Sequence, residues 1–234
     1  MREMPETQSE HAGANDGVEG IAYEYRAANH SGSHAYLYPV VRDALADLPV
    51  GSRVLDLGCG NGSFLSLFRD RGWELFGSDF ATAGIAIAKR SFPEIHFALA
   101  DATRQPLAPW FAERMGSFDA ILSTEVIEHV YDPRGFLRNA QALLKPGGRL
   151  VISTPYHGYL KNVFLAVSGK MDKHFTALRD HGHIKFWSRQ TFTTLLTEAG
   201  FVGLRFYGAG RFPQLWKSMV FRTEKAQEAD PLRM

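Results

Sequence analysis

Three features are scarce in this sequence, and each scarcity excludes a class of protein. The chain has 234 residues and one cysteine, so an internal disulfide is impossible and a reducing cytoplasm fits. No apolar run approaches the ~18 residues of a membrane-spanning helix, and the polar N-terminus lacks the core of a signal peptide. The net charge of +1 gives no support to general nucleic-acid binding.

The remaining composition is that of an ordinary globular chain, with 45% hydrophobic and 22% charged residues. This length is sufficient for a full core and is typical of one domain. Residues 1–20 are rich in Glu, Gly, Asn and Ser, which predicts a disordered lead. We expect a single domain over 21–222, beginning with a helical arm, and a charged, frayed tail over 223–234.

The sequence is organised around Val54–Gly62, which is Val-Leu-Asp-Leu-Gly-Cys-Gly-Asn-Gly. Arg53–Leu57 is apolar enough to form a buried strand, and from Ser63 onward apolar residues recur at helical spacing. Strand, glycine turn and helix make the first unit of a doubly wound sheet. Glycine is needed because the backbone turns sharply and a ligand lies against it.

The glycine spacing distinguishes two kinds of nucleotide ligand. A dinucleotide fold requires G-x-G-x-x-G, whereas this turn is Gly58-x-Gly60-x-Gly62 and continues with Ser63. Asp56, two residues before the first glycine, is unfavourable beside a pyrophosphate but suits a cationic ligand. S-adenosylmethionine carries an amino group and a sulfonium. At these residues the chain resembles the class I methyltransferases, which bind that cofactor.

Acidic residues end the next two predicted strands. Asp79 lies about 20 residues past the turn, where an acid accepts hydrogen bonds from ribose hydroxyls, although it could instead cap the helix that starts near Ala81. Asp101 follows the strand Ile95–Leu99. The resemblance implies that this acid receives the adenine amino group, and the alternative is a turn aspartate.

The fourth predicted strand, Phe118–Ser123, is followed by Thr124–Val130, which is Thr-Glu-Val-Ile-Glu-His-Val. This run resembles the methyltransferase branch that includes the ubiquinone-biosynthesis O-methyltransferases. Glu125 is nearest the strand end and is expected to face cofactor or substrate. Glu128 and His129 are candidate acid–base groups or metal ligands, and His129 has the alternative of a helix-end or core histidine. Only Glu125, Glu128 and His129 cluster in the sequence as candidate ligands, which falls short of a dedicated metal site, so we predict that no divalent ion is required.

A segment at about 155–187 breaks the regular alternation and is predicted to form a substrate lid. In the resembled family such insertions build the substrate pocket, and imidazole titrates near neutrality, as a general base must. His157 is the first candidate base, His129 the second, and His181 and His183 follow. The alternative is a solvated loop whose histidines have no role.

Two further features complete the resemblance, which covers about Val50–Arg222. Lys145-Pro-Gly-Gly148 precedes the fifth predicted strand, as in the family. An aromatic-polar cluster over Ala22–Pro39 is either an arm packed on the core or a lid over the active site. The resemblance implies an α/β, Rossmann-like, doubly wound sheet of seven strands, mostly parallel with strand seven antiparallel.

The predicted reaction is transfer of the methyl group of S-adenosylmethionine to a small-molecule acceptor, most simply a hydroxyl oxygen. Methylation of nitrogen or carbon, a dinucleotide-dependent oxidoreductase, a nucleic-acid methyltransferase and a non-catalytic relic are the alternatives. The sequence leaves the oligomeric state and the acceptor open.

The predicted site residues fall into two groups. The predicted cofactor-binding residues lie in the glycine turn and at the strand ends: Asp56, Gly58, Cys59, Gly60, Asn61, Gly62, Asp79, Phe80, Asp101, Ala102, Thr124 and Glu125. The predicted substrate-binding residues are aromatic and imidazole side chains of the arm and lid: Tyr23, Tyr25, His34, Tyr36, Tyr156 and Tyr159.

Overall fold

The computed structural model describes residue 28 and residues 31–175, 177–178, 180 and 182–227. Its centre is one sheet, whose strands in chain order are β1 Arg53–Leu57, β2 Glu74–Asp79, β3 His96–Leu99, β4 Phe118–Thr124, β5 Leu144–Pro155, β6 Phe201–Ala209 and β7 Ser218–Lys225. Their order across the sheet is β3-β2-β1-β4-β5-β7-β6. β7 runs antiparallel to both of its neighbours, and the other pairs are parallel. The predicted seven-stranded sheet is therefore confirmed.

Helices cover both faces of this sheet. In chain order they are α1 His34–Ala44, α2 Thr82–Ser91, α3 Pro109–Ala112, α4 Pro133–Leu143, α5 Tyr159–Val167, α6 Met171–Phe175 and α7 Arg189–Glu198. Two short 3₁₀ helices, Leu65–Arg71 and Ile127–His129, supplement them. No helix in the described part of the chain is long and apolar enough to cross a membrane.

The alternation of side chains along the strands produces two apolar cores. In β4, Ile121 packs into a core with residues of α4 and α7, whereas its neighbours Ala120 and Leu122 pack into a second core with residues of α1 and α2. All three side chains are fully buried. Burial on both faces is expected of a central strand, since neighbouring residues of a strand point to opposite sides.

The structure differs from the sequence-based expectation in four places. The element after the glycine turn is a 3₁₀ helix rather than an α-helix. The Lys145–Gly148 turn is an irregularity within β5, where the pairing register with β4 shifts. β7 continues to Lys225, so the first residues of the predicted tail belong to the sheet. The lid contains α5 and α6.

Candidate functional site at the carboxyl ends of the strands

The glycine turn is fixed to the end of β2 by its own backbone. The amide nitrogens of Gly58 and Cys59 donate to the carbonyl oxygen of Ser78, at 2.8 and 3.0 Å. Gly58 has a φ of +84°, and a Cβ there would lie 2.5 Å from Cγ2 of Val126. Only glycine therefore suits this position, because both the left-handed backbone and the contact exclude a side chain.

Asp79 connects the glycine turn to the start of α2. One carboxylate oxygen accepts from the amide of Gly60 at 2.8 Å, and the other accepts from the amide of Ala81 at 2.7 Å. Burial is the main cause that raises the pKa of this carboxyl, and the backbone hydrogen bonds oppose it. Asp79 therefore bonds to Ala81, the N-cap residue of α2, and is not itself the N-cap. The predicted contact to ribose stays a prediction.

Asp56 lies fully buried beneath the turn. Its Oδ1 has no hydrogen-bond partner, and burial, followed by the nearby charge of Asp79, raises its pKa to about 7. A buried carboxyl without a partner is costly unless something compensates it, and a cationic ligand group would favour its charged form. The neighbouring Cys59 is also buried, and burial raises the pKa of its thiol well above the usual value. Cys59 is therefore unsuited to act as a nucleophile.

A cavity of about 430 Å³ opens beside the ends of β1 to β4. Five predicted cofactor residues line it: Gly58, Asp79, Phe80, Asp101 and Ala102. The sequence analysis did not single out the following further lining residues as cofactor-binding candidates: Ser78, Ala100, Thr103, Val126, His129, Val130, Tyr131, Asp132 and Phe136. Most of them follow β4, where the sequence offered the signal of a strand end but not which side chains turn inward.

The other predicted cofactor residues are placed differently. Cys59, Gly60, Asn61 and Gly62 form the turn itself, and Asn61 Oδ1 accepts from the hydroxyl of Ser63 at 2.6 Å. Thr124 closes β4 and pairs with β5 in the sheet.

Asp101 lines the cavity but is also engaged locally. Its Oδ1 accepts from the amide and the hydroxyl of Thr103, at 2.8 and 2.7 Å, and its Oδ2 lies 3.2 Å from Nε of Arg104. The turn role is thus realised, and the predicted contact to adenine remains a prediction.

Glu125 faces away from this cavity, toward β5 and β7. Its carboxylate accepts from the hydroxyls of Ser153 at 2.7 Å and Ser218 at 3.0 Å. Its backbone has a φ of +56°, which is uncommon outside glycine and accompanies the sharp exit from β4. Burial raises its pKa to about 7. Its carboxylate therefore lies on the side of the crevice near Tyr36, and its predicted contact with cofactor or substrate stays a prediction.

Three potential ligand atoms converge next to the cofactor cavity. Atoms of Glu128, His129 and His183 lie within 4.8 Å of one another, and the two imidazole centroids are 4.9 Å apart. Glu128 is fully buried, neither carboxylate oxygen has a hydrogen-bond partner, and burial raises its pKa well above the usual value. His129 Nδ1 lies 3.1 Å from the carbonyl oxygen of Gly182. The sequence grouped Glu125 with Glu128 and His129, whereas in the structure the third potential ligand is His183 of the lid.

His157, the first candidate base, lies among aromatic rings of the lid. It is 7% exposed, its ring stacks on Phe175 at 5.8 Å and meets the edge of Phe186 at 5.2 Å, and neither ring nitrogen has a hydrogen-bond partner. Burial, followed by the charges of Lys161 and His174, lowers its pKa to about 4. A group of that pKa is a weak base. His181, another candidate, lies outside the described residues.

The predicted substrate-binding aromatics have mixed outcomes. The hydroxyl of Tyr36 lies 3.3 Å from that of Ser218, which in turn donates to Glu125, so Tyr36 faces the crevice. Tyr156 is buried and donates to Gln214. Tyr159 is 80% exposed, which contradicts a role in a pocket.

The arm residues among these predictions give less information. His34 packs edge-on against Phe64, with ring centroids 5.0 Å apart, as the core-packing alternative for the arm requires. Tyr23 and Tyr25 lie outside the described residues.

Comparison with known proteins agrees with this geometry. A family model described as a methyltransferase domain matches residues 29–205. The chain belongs to the class I S-adenosylmethionine-dependent methyltransferases. S-adenosylmethionine is the cofactor of this family, and the match includes the glycine turn, the cofactor cavity and the lid.

Two similar proteins are named as ubiquinone biosynthesis O-methyltransferases. A ubiquinone biosynthesis O-methyltransferase of Ruegeria sp. (strain TM1040) is 32% identical over 182 residues, which is 75% of this chain and 71% of that protein. Another with the same name, from Xanthomonas axonopodis pv. citri (strain 306), is 38% identical over 106 residues, or 45% of this chain. That match spans 44% of the Xanthomonas protein, less than half of its length.

A solved structure supports the fold. A chain from the complex between a Haloferax volcanii methyltransferase and the Trm112 methyltransferase activator superposes with a TM-score of 0.64 at 19% identity. The superposition covers 84% of this chain and 92% of that one. At this identity the likeness concerns the fold alone.

Proposed function

We propose that this methyltransferase transfers a methyl group from S-adenosylmethionine to a hydroxyl oxygen of a small molecule. The observation that carries the proposal is the cluster of Glu128, His129 and His183 beside the cofactor cavity. A sulfonium is already a strong electrophile, so the protein mainly aligns the nucleophile with the methyl carbon. A hydroxyl acceptor also needs a group that takes its proton, and the cluster supplies one. The relatives named as O-methyltransferases support the same choice.

The residues at the glycine turn fit the cofactor. Gly58 lines the cavity, and because it has no side chain its backbone packs directly against Val126, where a Cβ would lie 2.5 Å from Cγ2. The unpartnered Oδ1 of Asp56 and the buried carboxylate of Asp79 make this end of the sheet favourable for a cationic ligand. In this proposal Asp79 binds the ribose and Asp101 binds the adenine.

His129 is the residue placed to accept the proton of the hydroxyl. Its Nδ1 lies within hydrogen-bond distance of the Gly182 carbonyl oxygen, which can only accept, so Nδ1 carries the hydrogen of the neutral ring. Nε2 then carries the lone pair. His129 also lines the cofactor cavity, which His157 does not. We therefore propose His129 in the place of His157 as the base, with the lid closing over the acceptor.

The same cluster also fits a divalent cation. One buried carboxylate and two imidazoles are a suitable donor set, and a histidine ligand commonly donates its other ring nitrogen to a carbonyl, as His129 does. Glu128, His129 and His183 would hold the ion, which would lower the pKa of the acceptor hydroxyl. The prediction that no ion is required rested on Glu125, Glu128 and His129 as candidate ligands and did not include His183. The prediction itself stays untested.

The proposal is tested by presenting the protein with methyl-labelled S-adenosylmethionine and a panel of catechols, quinols and amines. We expect S-adenosylhomocysteine to form with hydroxyl acceptors. Turnover with amines alone would favour the alternative of nitrogen methylation. NADH binding tighter than that of S-adenosylmethionine would contradict the assignment of the site.

A further inference from the structure

A second cavity, of about 470 Å³, lies between the lid helices α5 and α6 and the loop that joins β6 to β7. Six of its lining residues are basic: Lys161, Lys170, Lys173, His174, Arg211 and Lys217. The remaining three are apolar, and no carboxylate lines the cavity. Because the whole chain carries a net charge of only +1, this concentration of cations is a local feature.

The cations around this cavity, which we call the basic pocket, are not neutralised by the protein. None of the six forms an ion pair with a carboxylate among the described residues. Burial, then the charge of Arg211, lowers the pKa of Lys161 to about 8. Burial and the charges of Lys161 and Arg211 lower the pKa of His174 as well. The negative charge of Glu125 raises the pKa of Lys161, but its effect is smaller than the combined effect of burial and Arg211.

Lys161 is a buried residue that lines the basic pocket. Its side chain is nine-tenths buried, and its Nζ donates to the carbonyl oxygen of Tyr156 at 2.7 Å. Lys217 is positioned from the opposite side, with Nζ 4.9 Å from the ring centroid of Tyr36. The Nζ of Lys161 also lies 3.5 Å from the carbonyl oxygen of Lys217, so backbone contacts hold this buried ammonium group in place at the wall of the pocket.

We propose that the basic pocket binds a phosphate or diphosphate group. Lysine and arginine are the residues that bind such anions, through charge-assisted hydrogen bonds. Lys161 contributes to the basic pocket and also interacts electrostatically with Glu125 at the end of β4. An acceptor whose phosphate occupies the pocket would therefore extend toward the crevice. That the phosphate belongs to the acceptor rests on the proposed methyl transfer, whereas binding of the anion does not.

The binding itself is tested with inorganic pyrophosphate by titration calorimetry at low and at physiological salt. The double variant Lys173→Gln/Arg211→Gln removes two exposed cations, so its fold should be retained. We expect it to bind pyrophosphate at least about tenfold more weakly than the wild type, since two charge-assisted contacts are lost. The control Lys89→Gln removes an exposed cation of α2, far along the chain from the pocket, and should bind like the wild type. Equal affinity of wild type and double variant, or no binding by the wild type, would overturn the proposal.

A second experiment, co-sedimentation with lipid vesicles, identifies the source of the phosphate. Soluble pyrophosphate binding without co-sedimentation on phosphatidylglycerol vesicles supports a phosphate carried by the acceptor. Co-sedimentation that the double variant loses supports a lipid headgroup in the same pocket. S-adenosylhomocysteine affinity should be equal in all variants. If pyrophosphate binds as expected but no acceptor is methylated, the proposed function fails and the basic pocket stands. If an acceptor is methylated but pyrophosphate does not bind, the proposed function stands and the proposal of an anion-binding basic pocket fails.

Discussion

Two regions of the molecule differ in what fixes the positions of their residues. The cofactor side is the glycine turn with the carboxyl ends of β1 and β2, and the lid side is the segment at about 155–187. Around the glycine turn, backbone amides of Gly58 and Gly60 bind Ser78 and Asp79, and the surrounding side chains are buried. On the lid, α5 exposes large apolar side chains, with Val167 at 85%, and borders the basic pocket. The cofactor side is determined by local backbone geometry.

The largest effect is expected where the two sides meet, at His129. His129→Ala should lower the rate of methyl transfer about 10²–10⁴-fold, because the acceptor hydroxyl loses its base. The loss should shrink as the pH rises, since the hydroxyl then ionises unaided. Single-turnover rates measure this, and calorimetry with S-adenosylhomocysteine should show nearly unchanged cofactor affinity. His96→Ala, an exposed histidine of β3, is the matched control. An unchanged rate for His129→Ala at pH 7 would exclude the role.

A smaller effect is expected on the cofactor side, at Asp79. Asp79→Asn keeps the shape but removes the charge, and should weaken S-adenosylhomocysteine binding by about 1–3 kcal/mol, the range for charge-assisted hydrogen bonds. Calorimetry measures the affinity, and thermal unfolding reports any loosening of the turn where Gly60 donates to this residue. Asp70→Asn, at an exposed aspartate, is the control. Wild-type affinity in a folded Asp79→Asn protein would remove the ribose assignment.

The lid should show its own pH dependence through His157. Its folded-state pKa of about 4 lies below the ordinary 6.5, so the unfolded chain binds a proton first as the pH falls. The free energy of unfolding should therefore decrease between pH 6.5 and pH 4, by at most about 3 kcal/mol. His157→Phe should flatten this decrease, as measured by urea unfolding. The neighbouring Lys161, His174 and His183 remain in the variant, and His174→Gln measures the contribution of that second imidazole. An equally steep decrease in His157→Phe would contradict the shifted pKa.

The smallest effect is expected from chelation. If His129 takes the proton directly, exhaustive EDTA treatment should leave the rate nearly unchanged. A different result would assign the cluster to a cation: EDTA abolishes the activity of the wild type, magnesium or zinc restores it, and the Glu128→Gln variant shows no such restoration. The unliganded pair of oxygens on Glu128 makes this outcome chemically reasonable, so the measurement decides between two uses of the same side chains.

Much of the cofactor side was predictable because the sequence motif there also determines the backbone conformation. Gly58 requires a left-handed conformation, and β1 begins and ends at the predicted residues. The lid was not predictable in the same way. His183 reaches His129 only because Ile184 and Lys185 donate to the carbonyl oxygen of Glu128, a contact between segments far apart in the sequence.

The base that we propose differs from the first candidate of the sequence analysis for a similar reason. His157 was chosen for its distance from a strand end, but the rings that bury it belong to α6 and to the segment before α7. Sequence distance gives the side of the sheet on which a residue lies. It does not give the residues that pack against it.

Methyl transfer to oxygen is tested most directly by carbon NMR of the product formed from ¹³C-methyl S-adenosylmethionine and a catechol, with wild type and His129→Ala in parallel. We expect a labelled methoxy carbon, formed much more slowly by the variant at pH 7. A label bonded to nitrogen or carbon, or equal rates for the two proteins, would contradict this expectation.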